Sequence, residues 1–326
     1  MKSRIFLKFF TSLFACLLIL QVYADPINKD TNKQIEIESI IKLSLQFGKD
    51  TAAIKKHLAP IILQAKQTQD IPVLWACEML MADTYSMLYD QTNVYSDGHY
   101  DAAKQLLNAG NYPELEFIGN LRQGYYHFIY RQISEAFPFF LQANYLEPKL
   151  NINKVPILVD HYKIIASFYS YIGNQERALE YLEMVLPFAE KASRERIDLL
   201  NSLSIYSKKL AKDEQALYYL KESLKEAETA KDSVWIGIIY GNLSEYSWQE
   251  GKVAETFDYL NKNIELSLRY NELLDAMRAN LKLAQYNLAL ADWKSASKYV
   301  IEALALMEDK PYFLTYKVDA LKCLAD

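Results

Sequence analysis

Histidine and cysteine are the side chains of this sequence best suited to metal binding or nucleophilic chemistry, but their spacing is unfavourable. The four histidines are His57, His99, His127 and His161. No two of them are three to five residues apart, the spacing that places both imidazoles on one face of a helix. After residue 24 the remaining cysteines, Cys77 and Cys323, lie at opposite ends of the chain. These spacings predict that the protein holds no metal.

The familiar sequence motifs of catalysis are also missing. The chain contains no glycine-rich phosphate loop, no nucleophile elbow and no Cys-x-x-Cys pair. His127 lies in the tyrosine-rich stretch 124–130 without an acidic residue beside it, which favours a packing role over a ligand role. Acidic pairs such as Glu226 and Glu228 occur among lysines, as on a solvated helix face. The sequence therefore predicts a protein that is not an enzyme and uses no cofactor.

Residues 1–24 have the pattern of a secretory signal peptide. Lys2, Arg4 and Lys8 form a basic start, an apolar run follows over residues 9–20, and a small residue, Ala24, marks the cleavage site. The apolar run is shorter than the roughly 20 residues that a membrane-spanning helix needs. We therefore expect a cleaved signal and an exported chain, located in the periplasm or on the cell surface of a bacterium.

Two alternatives for this segment stay open. The signal could remain uncleaved as an anchor, or the chain could be a lipoprotein acylated at Cys16, because residues 13–16 loosely match a lipobox. Cleavage after Ala24 would remove three of the 36 basic residues and none of the 41 acidic ones. A mildly acidic surface argues against binding to nucleic acid or to anionic membranes. No other stretch is long and apolar enough to span a membrane.

Repetition with a period near 40 residues dominates the rest of the sequence. Each repeat has two apolar helix faces with small residues between them. One set of these small residues recurs at intervals of 42, 38, 40 and 40 residues, at Ala136, Ala178, Ala216, Thr256 and Ala296. A second set of small residues precedes each of them, at Gly124, Ala166, Ser204, Ser244 and Ala284. Between the two sets lies a turn position, which in two repeats is a glycine suited to a positive φ angle, at Gly173 and Gly251. Two weaker repeats precede these, one with its small residue at Ala102 and another marked by residues 48–53.

This pattern resembles the tetratricopeptide (TPR) repeat family, in a long-unit form of 38–42 residues typical of exported bacterial proteins. The resemblance implies an all-α fold, a right-handed α-solenoid of antiparallel helix pairs, with the first helix of each pair lining a concave groove. Transferring the family's groove positions to this chain gives eight candidate partner-binding residues: Lys163, Tyr171, Asn201, Lys208, Glu245, Trp248, Arg278 and Gln285.

Trp248 is the expected anchor of this groove, because an aromatic side chain beside charged residues is enriched at interfaces. The alternative is that Trp248 packs against the next repeat. The Lys/Asn clamp with which some TPR proteins hold peptide C-termini has no match, since the equivalent positions carry residues such as Gly241 and Leu281. An acidic peptide tail is therefore not the expected partner.

The organisation along the chain follows from the regularity of the repeats. We expect a signal peptide over 1–24, irregular helical repeats over 25–116, regular TPR-like repeats over 117–310 and the first helix of an incomplete repeat over 311–326. Stacked repeats need a polar terminal cap, and the last segment presents an unpaired apolar side. On this ground we expect the chain to continue into a longer protein.

The predicted function is an extracytoplasmic protein- or peptide-binding TPR scaffold, forming the sensor or interaction part of a longer bacterial signalling protein. The alternative is a surface component that binds glycans or nutrients on aromatic platforms such as Trp248. The expected partner is a protein or peptide in the concave groove, and neither nucleic acid nor a membrane span of the mature chain is expected.

Overall fold

The computed structural model describes residues 26–307 and 314–325, and within these ranges every regular element is helical. The predicted signal peptide, Cys16 and, from the last predicted segment, residues 311–313 and 326 lie outside the described residues. None of the helices formed by the described residues combines the length and the apolar character needed to cross a membrane. The predicted fold class, an all-α solenoid of helix pairs, is confirmed.

The chain divides into two compact units, the first ending at Leu158 and the second beginning at Val159. The first unit contains α1 Pro26–Ile41, α2 Leu43–Phe47, α3 Thr51–Thr68, α4 Ile71–Tyr89, α5 Val94–Leu107, α6 Pro113–Ile129 and α7 Ile133–Leu146, and the short 3-10 helices Glu147–Lys149 and Ile152–Lys154. The predicted change from irregular to regular repeats, at 116/117, falls within α6. That assignment stays a prediction.

The second unit is built from four helix pairs and one further helix. Its helices are α8 Leu158–Tyr171, α9 Gln175–Val185, α10 Arg194–Lys209, α11 Asp213–Ala230, α12 Ser233–Gln249, α13 Val253–Arg269, α14 Leu273–Ala289, α15 Trp293–Ala305 and α16 Leu314–Ala325, with the 3-10 helix Leu186–Phe188 after α9. The even-numbered helices are the first members of the pairs, and α16 follows the fourth pair as another first helix.

The turn inside each regular pair has three residues, and its middle residue adopts the left-handed backbone conformation. The φ angles are positive at Arg131, Gly173, Ala211, Gly251 and Ala291. In each turn the following amide donates to a carbonyl five residues earlier, as Asn174 N does to Tyr169 O at 2.9 Å. This bond pattern satisfies carbonyls at the end of the first helix and reverses the chain direction. The prediction of positive φ at Gly173 and Gly251 is confirmed, and the same geometry holds where the residue is not glycine.

The two sets of small residues are buried where the paired helices cross. A Cβ atom on Gly124 of α6 would lie 3.4 Å from the carbonyl oxygen of Ala136 on α7. Ala166 and Ala178 in the next pair are fully buried. In α12 and α13 the crossing is polar, since the hydroxyls of Ser247 and Thr256 lie 2.9 Å apart. Small side chains thus allow the two helices of a pair to approach closely.

Ala102, the small residue marked from the sequence in α5, is partly exposed, and the buried small residues of this helix are Ser96 and Ala103. The Ser96 hydroxyl donates to the carbonyl oxygen of Ala82 on α4 at 2.9 Å, where these two helices cross. The helix also begins earlier than the predicted opening at Asp97. Its start is set by Asn93, whose side-chain oxygen accepts a hydrogen bond from the backbone N–H of Ser96 at 2.9 Å. The helix cap at Asn93 is hard to recognise from the sequence, because asparagine is also a common turn residue and turn residues precede it.

Candidate functional site

The first helices of the second unit are joined to one another by polar side chains that lie on the face predicted to form the groove. Lys163 of α8 pairs with Asp198 of α10, and Lys208 of α10 pairs with Glu245 of α12. Further along, Arg278 Nη2 of α14 donates to the Tyr316 hydroxyl of α16 at 2.7 Å. We call this set the polar ladder, with Lys282 of α14 as its remaining member: Lys163, Asp198, Lys208, Glu245, Lys282, Arg278 and Tyr316.

Glu245 is the central acceptor of the polar ladder, because two lysines from two different helices contact it. Besides Lys208, Lys282 approaches Glu245 Oε1 at 2.6 Å and donates to the carbonyl oxygen of Gly241 at 3.0 Å. Burial acts to raise the pKa of Glu245, but the charges of Lys282 and Lys208 outweigh it and hold the pKa below its ordinary value. Burial lowers the pKa of Lys282 despite its carboxylate partner. The carboxylate is therefore held ionised between α10 and α14.

An open cavity of about 460 Å³ lies beside the polar ladder in this unit. Three of the predicted groove residues line it, namely Asn201, Arg278 and Gln285. Its apolar wall includes Ile238 and Leu281. A volume of this order is typical of sites that hold a small ligand or a few residues of a peptide.

Two asparagines give the cavity a paired hydrogen-bonding surface. Asn242 Nδ2 donates to Asn201 Oδ1 at 2.7 Å, joining α12 to α10. This bond occupies one group of each amide and leaves Asn201 Nδ2 as a donor and Asn242 Oδ1 as an acceptor beside the cavity. Asn201 is 6% exposed, so its orientation is fixed by its surroundings. One donor and one acceptor close together match the two groups of a peptide bond.

Gly241, which lines the cavity, allows a close contact between α12 and α13 because it has no side chain. An added Cβ atom would lie 2.0 Å from Nδ2 of Asn263, a buried residue of α13. Asn263 in turn accepts a hydrogen bond from the Ser267 hydroxyl at 2.8 Å, which limits its freedom to move. The glycine therefore allows α12 and α13 to approach at the level of the cavity, although glycine is unfavourable in a helix interior.

Trp248 has the alternative role considered from the sequence, packing against the next repeat. Its ring stacks on Tyr286 of α14, with ring centroids 4.3 Å apart and an angle of 17° between the planes. Burial raises the pKa of Tyr286 to about 12, and the nearby charge of Glu245 adds to this effect. The stacked pair therefore helps to join α12 to α14. Trp248 remains partly exposed beside this contact.

Two predicted residues, Lys163 and Tyr171, lie on α8 and are not among the residues that line the cavity. Lys163 pairs with Asp198 and lies 3.7 Å from Asp160, whereas the Tyr171 side chain is 51% exposed at the end of the helix. The sequence interpretation missed Asn242 and Lys282. Asn242 lies two residues before Ser244, and Lys282 lies two residues before Ala284, the small residues of their first helices. Each also directly follows a position transferred from the TPR family. This repeated offset could have identified both residues.

His99, His127 and Cys77 each have a structural role within the first unit. His99 Nδ1 lies 2.6 Å from Glu78 Oε2, and His127 Nδ1 lies 2.8 Å from Gln132 Oε1. Cys77 is buried, and burial raises the pKa of its thiol to about 12, so the reactive thiolate is disfavoured. Among residues 26–307 and 314–325, no three side chains of His, Cys, Asp or Glu are grouped closely enough to hold a metal ion.

Comparison with known proteins gives structural neighbours only. No protein-family model matches the chain, and no curated protein matches its sequence. A Rap protein complexed with competence and sporulation factor superposes with a TM-score of 0.65 at 18% identity, covering 91% of this chain and 85% of that one. The apo quorum sensor NprR from B. thuringiensis gives 0.63 at 14% identity, with 92% and 81% covered.

Aspartyl phosphate phosphatase F from Bacillus subtilis is a further neighbour, with a TM-score of 0.52 at 16% identity over 90% of this chain and 79% of that one. At such low identities these likenesses show the fold alone. They support a TPR-like helical repeat fold for this chain. The prediction of a long-unit exported type and the prediction that the chain is not an enzyme stay predictions.

The contribution of Glu245 to the polar ladder can be tested by removing its charge. Glu245→Gln should lower the free energy of unfolding by about 1 kcal/mol at pH 7, a modest loss because the side chain keeps some contact with water. Since the folded-state pKa of Glu245 is depressed, its contribution is present above the unfolded pKa of about 4.3 and is lost as the pH falls through the folded value. Urea unfolding of both proteins between about pH 7 and pH 3 measures the difference.

Glu265→Gln is the matched control, because Glu265 forms an exposed pair with Arg269 on the second helix α13. We expect no measurable change from this variant. Equal losses for the two variants, or a loss for Glu245→Gln that persists unchanged at pH 3, would contradict the role given to Glu245.

Proposed function

We propose that this chain is a protein- or peptide-binding TPR-like scaffold that holds a peptide in the cavity on the first helices of the second unit. The observation that carries the proposal is the Asn201–Asn242 amide pair, which leaves one donor and one acceptor beside the cavity. An extended peptide presents an N–H and a C=O at every residue, so such a pair can bind its backbone without regard to side chains.

The walls of the cavity supply the selectivity that the amide pair lacks. Ile238 and Leu281 offer an apolar surface for a side chain of the peptide. Arg278 and Lys282 place positive charge on the same wall, and Asp275 places negative charge there. Their mutual contacts and the polar ladder hold these groups in position before a ligand arrives, which reduces the entropy lost on binding.

The structural neighbours support a signalling role by analogy of fold. One of them was crystallised with competence and sporulation factor, and another is described as a quorum sensor. We propose that this chain likewise forms the sensor or interaction part of a bacterial signalling protein, with no catalytic step of its own. No observation favours the glycan-binding alternative, since one face of Trp248 is covered by Tyr286.

Selection from a display library of short random peptides tests peptide binding directly. We expect enriched peptides whose affinity, measured by calorimetry, falls about five- to tenfold in Asn242→Ala, as for the loss of about one hydrogen bond. Arg269→Ala is the matched control, because Arg269 is an exposed residue of the second helix α13. It should bind the same peptides as tightly as the wild-type protein does.

Two results would contradict this proposal. If no peptide is enriched, the protein does not bind peptides, and if the enriched peptides bind wild-type protein and Asn242→Ala equally well, the cavity is not the binding site. A selection that succeeds with peptides insensitive to Asn242→Ala would show that the protein binds peptides at another place.

We propose further that the protein acts outside the cytoplasm, in the periplasm or at the cell surface. The support is the basic start, the apolar run over 9–20 and the small residue Ala24. Mass spectrometry of the chain produced in a bacterial host should show a mature N-terminus at Asp25. A lipid-modified N-terminus at Cys16 would instead identify a lipoprotein, and a cytoplasmic chain that retains residues 1–24 would contradict export.

A further inference from the structure

A second cavity, which has no part in the proposed peptide site, lies within the first unit. It is a cleft of about 380 Å³ enclosed by α4, α5, α6 and α7. This volume falls in the range of small-molecule sites, and the cleft lies between helices of a bundle, where such sites often occur. Its walls combine a deep aromatic floor with a polar rim.

The floor of the cleft is formed by large apolar side chains from three helices. Trp75 and Met79 come from α4, Tyr100 from α5 and Phe139 from α7. Trp75 and Tyr100 are almost fully buried, at 1% and 3% exposure. Only narrow edges of these two rings therefore reach the cleft, whereas Phe139 is partly exposed. The Phe139 ring offers a favourable contact to a flat aromatic ligand.

Gly119 of α6 accounts for the open space above Trp75. A Cβ atom built on this glycine would meet only the indole, at 3.8 Å from Nε1 and 3.9 Å from Cζ2 of Trp75. The absent side chain therefore leaves the Nε1 edge of the indole facing the cleft. Glycine is unfavourable inside a helix relative to alanine, and here its missing side chain leaves space next to the indole.

The indole N–H of Trp75 is a donor for which no acceptor is found among residues 26–307 and 314–325. Indole is a donor only, and a buried tryptophan N–H usually finds a partner. This nitrogen is not among the fully buried polar atoms, so it is accessible from the cleft. A ligand that brings an acceptor to this point would therefore replace water and make a hydrogen bond that no described residue makes.

The rim of the cleft is polar but has no dominant charge. Asn120 Nδ2 donates to the carbonyl of Glu116 at 2.8 Å, and Gln142 Nε2 lies 3.3 Å from the Glu116 carboxylate. Lys104 is the one basic residue of the lining and Glu116 the one acidic residue. A charged ligand would lose its hydration over an apolar floor and meet no net opposite charge.

We propose that this cleft binds a small, neutral aromatic molecule bearing a carbonyl or hydroxyl acceptor, with its ring on the floor and its acceptor at Trp75 Nε1. The rim amides of Asn120 and Gln123 hold the outer end of the molecule. This site is independent of the peptide cavity, because every residue that lines it belongs to the first unit.

Benzamide is a suitable probe, and benzoate has the same shape with a negative charge. The chain contains 4 tryptophans, so its indole N–H signals are few and the signal of Trp75 is assigned by its loss in Trp75→Phe. In a two-dimensional NMR titration we expect benzamide to move the Trp75 signal, with an affinity at least tenfold higher than that of benzoate. The signals of the other tryptophans should stay in place.

Gly119→Leu fills the cleft and should weaken benzamide binding at least tenfold. Its matched control is Gly98→Leu, which adds the same side chain in open space on the exposed face of α5 and should leave binding unchanged. Should Gly119→Leu not fold, Gly119→Ala replaces it, since its Cβ lies at an ordinary contact distance from the indole. This smaller variant is expected to weaken binding measurably.

Three results would overturn the proposal. The Trp75 signal could stay in place up to about 10 mM benzamide, which would mean that any dissociation constant lies above the millimolar range. Benzoate could bind as tightly as benzamide does, or the Gly119 variants could bind with unchanged affinity. A failure of peptide selection would leave the proposal untouched, because that experiment concerns the second unit.

Discussion

The close contact between small residues at each helix crossing is the constraint on which the rest of the second unit depends. Ala166, Ala178 and Ala216 have essentially no exposed surface, so any larger side chain there would have to displace a neighbouring helix. The left-handed turn residue, such as Gly173, sets the direction in which the second helix returns. Together these two features set how the two helices of each pair cross, and the polar ladder joins one pair to the next through its first helix.

Each cavity is lined by a glycine inside a first helix. Gly241 in α12 lets Asn263 approach from α13, and Gly119 in α6 leaves the indole edge of Trp75 facing the cleft. Helix propensity disfavours glycine at such positions by about 1 kcal/mol, so both sites are maintained against the local preference of the chain. The two sites differ in chemistry. Amides and charged groups surround the cavity of the second unit, whereas aromatic side chains form the floor of the cleft in the first.

The sequence predicted the repeat and its turns well because both depend on local steric rules. A buried crossing requires a small residue such as Ala178, and a positive φ angle favours glycine, as at Gly173. The site was predicted less completely. Groove positions transferred from a shorter repeat missed Asn242 and Lys282, since one residue of offset rotates a side chain by about 100° around a helix. The partners of Glu245 come from repeats 37 residues away in either direction, so no local rule identifies them.

The unfolding free energy of Ala178→Phe tests the crossing most directly. We expect a loss of roughly 1–3 kcal/mol or more, because the added ring has no space between α8 and α9. Ala254→Phe places the same ring at an exposed position in the first turn of α13 and should change the stability by less than about 1 kcal/mol. Equal stabilities of the two variants in urea unfolding would mean that Ala178 does not lie at a tight helix crossing, and the assigned repeat register would be wrong.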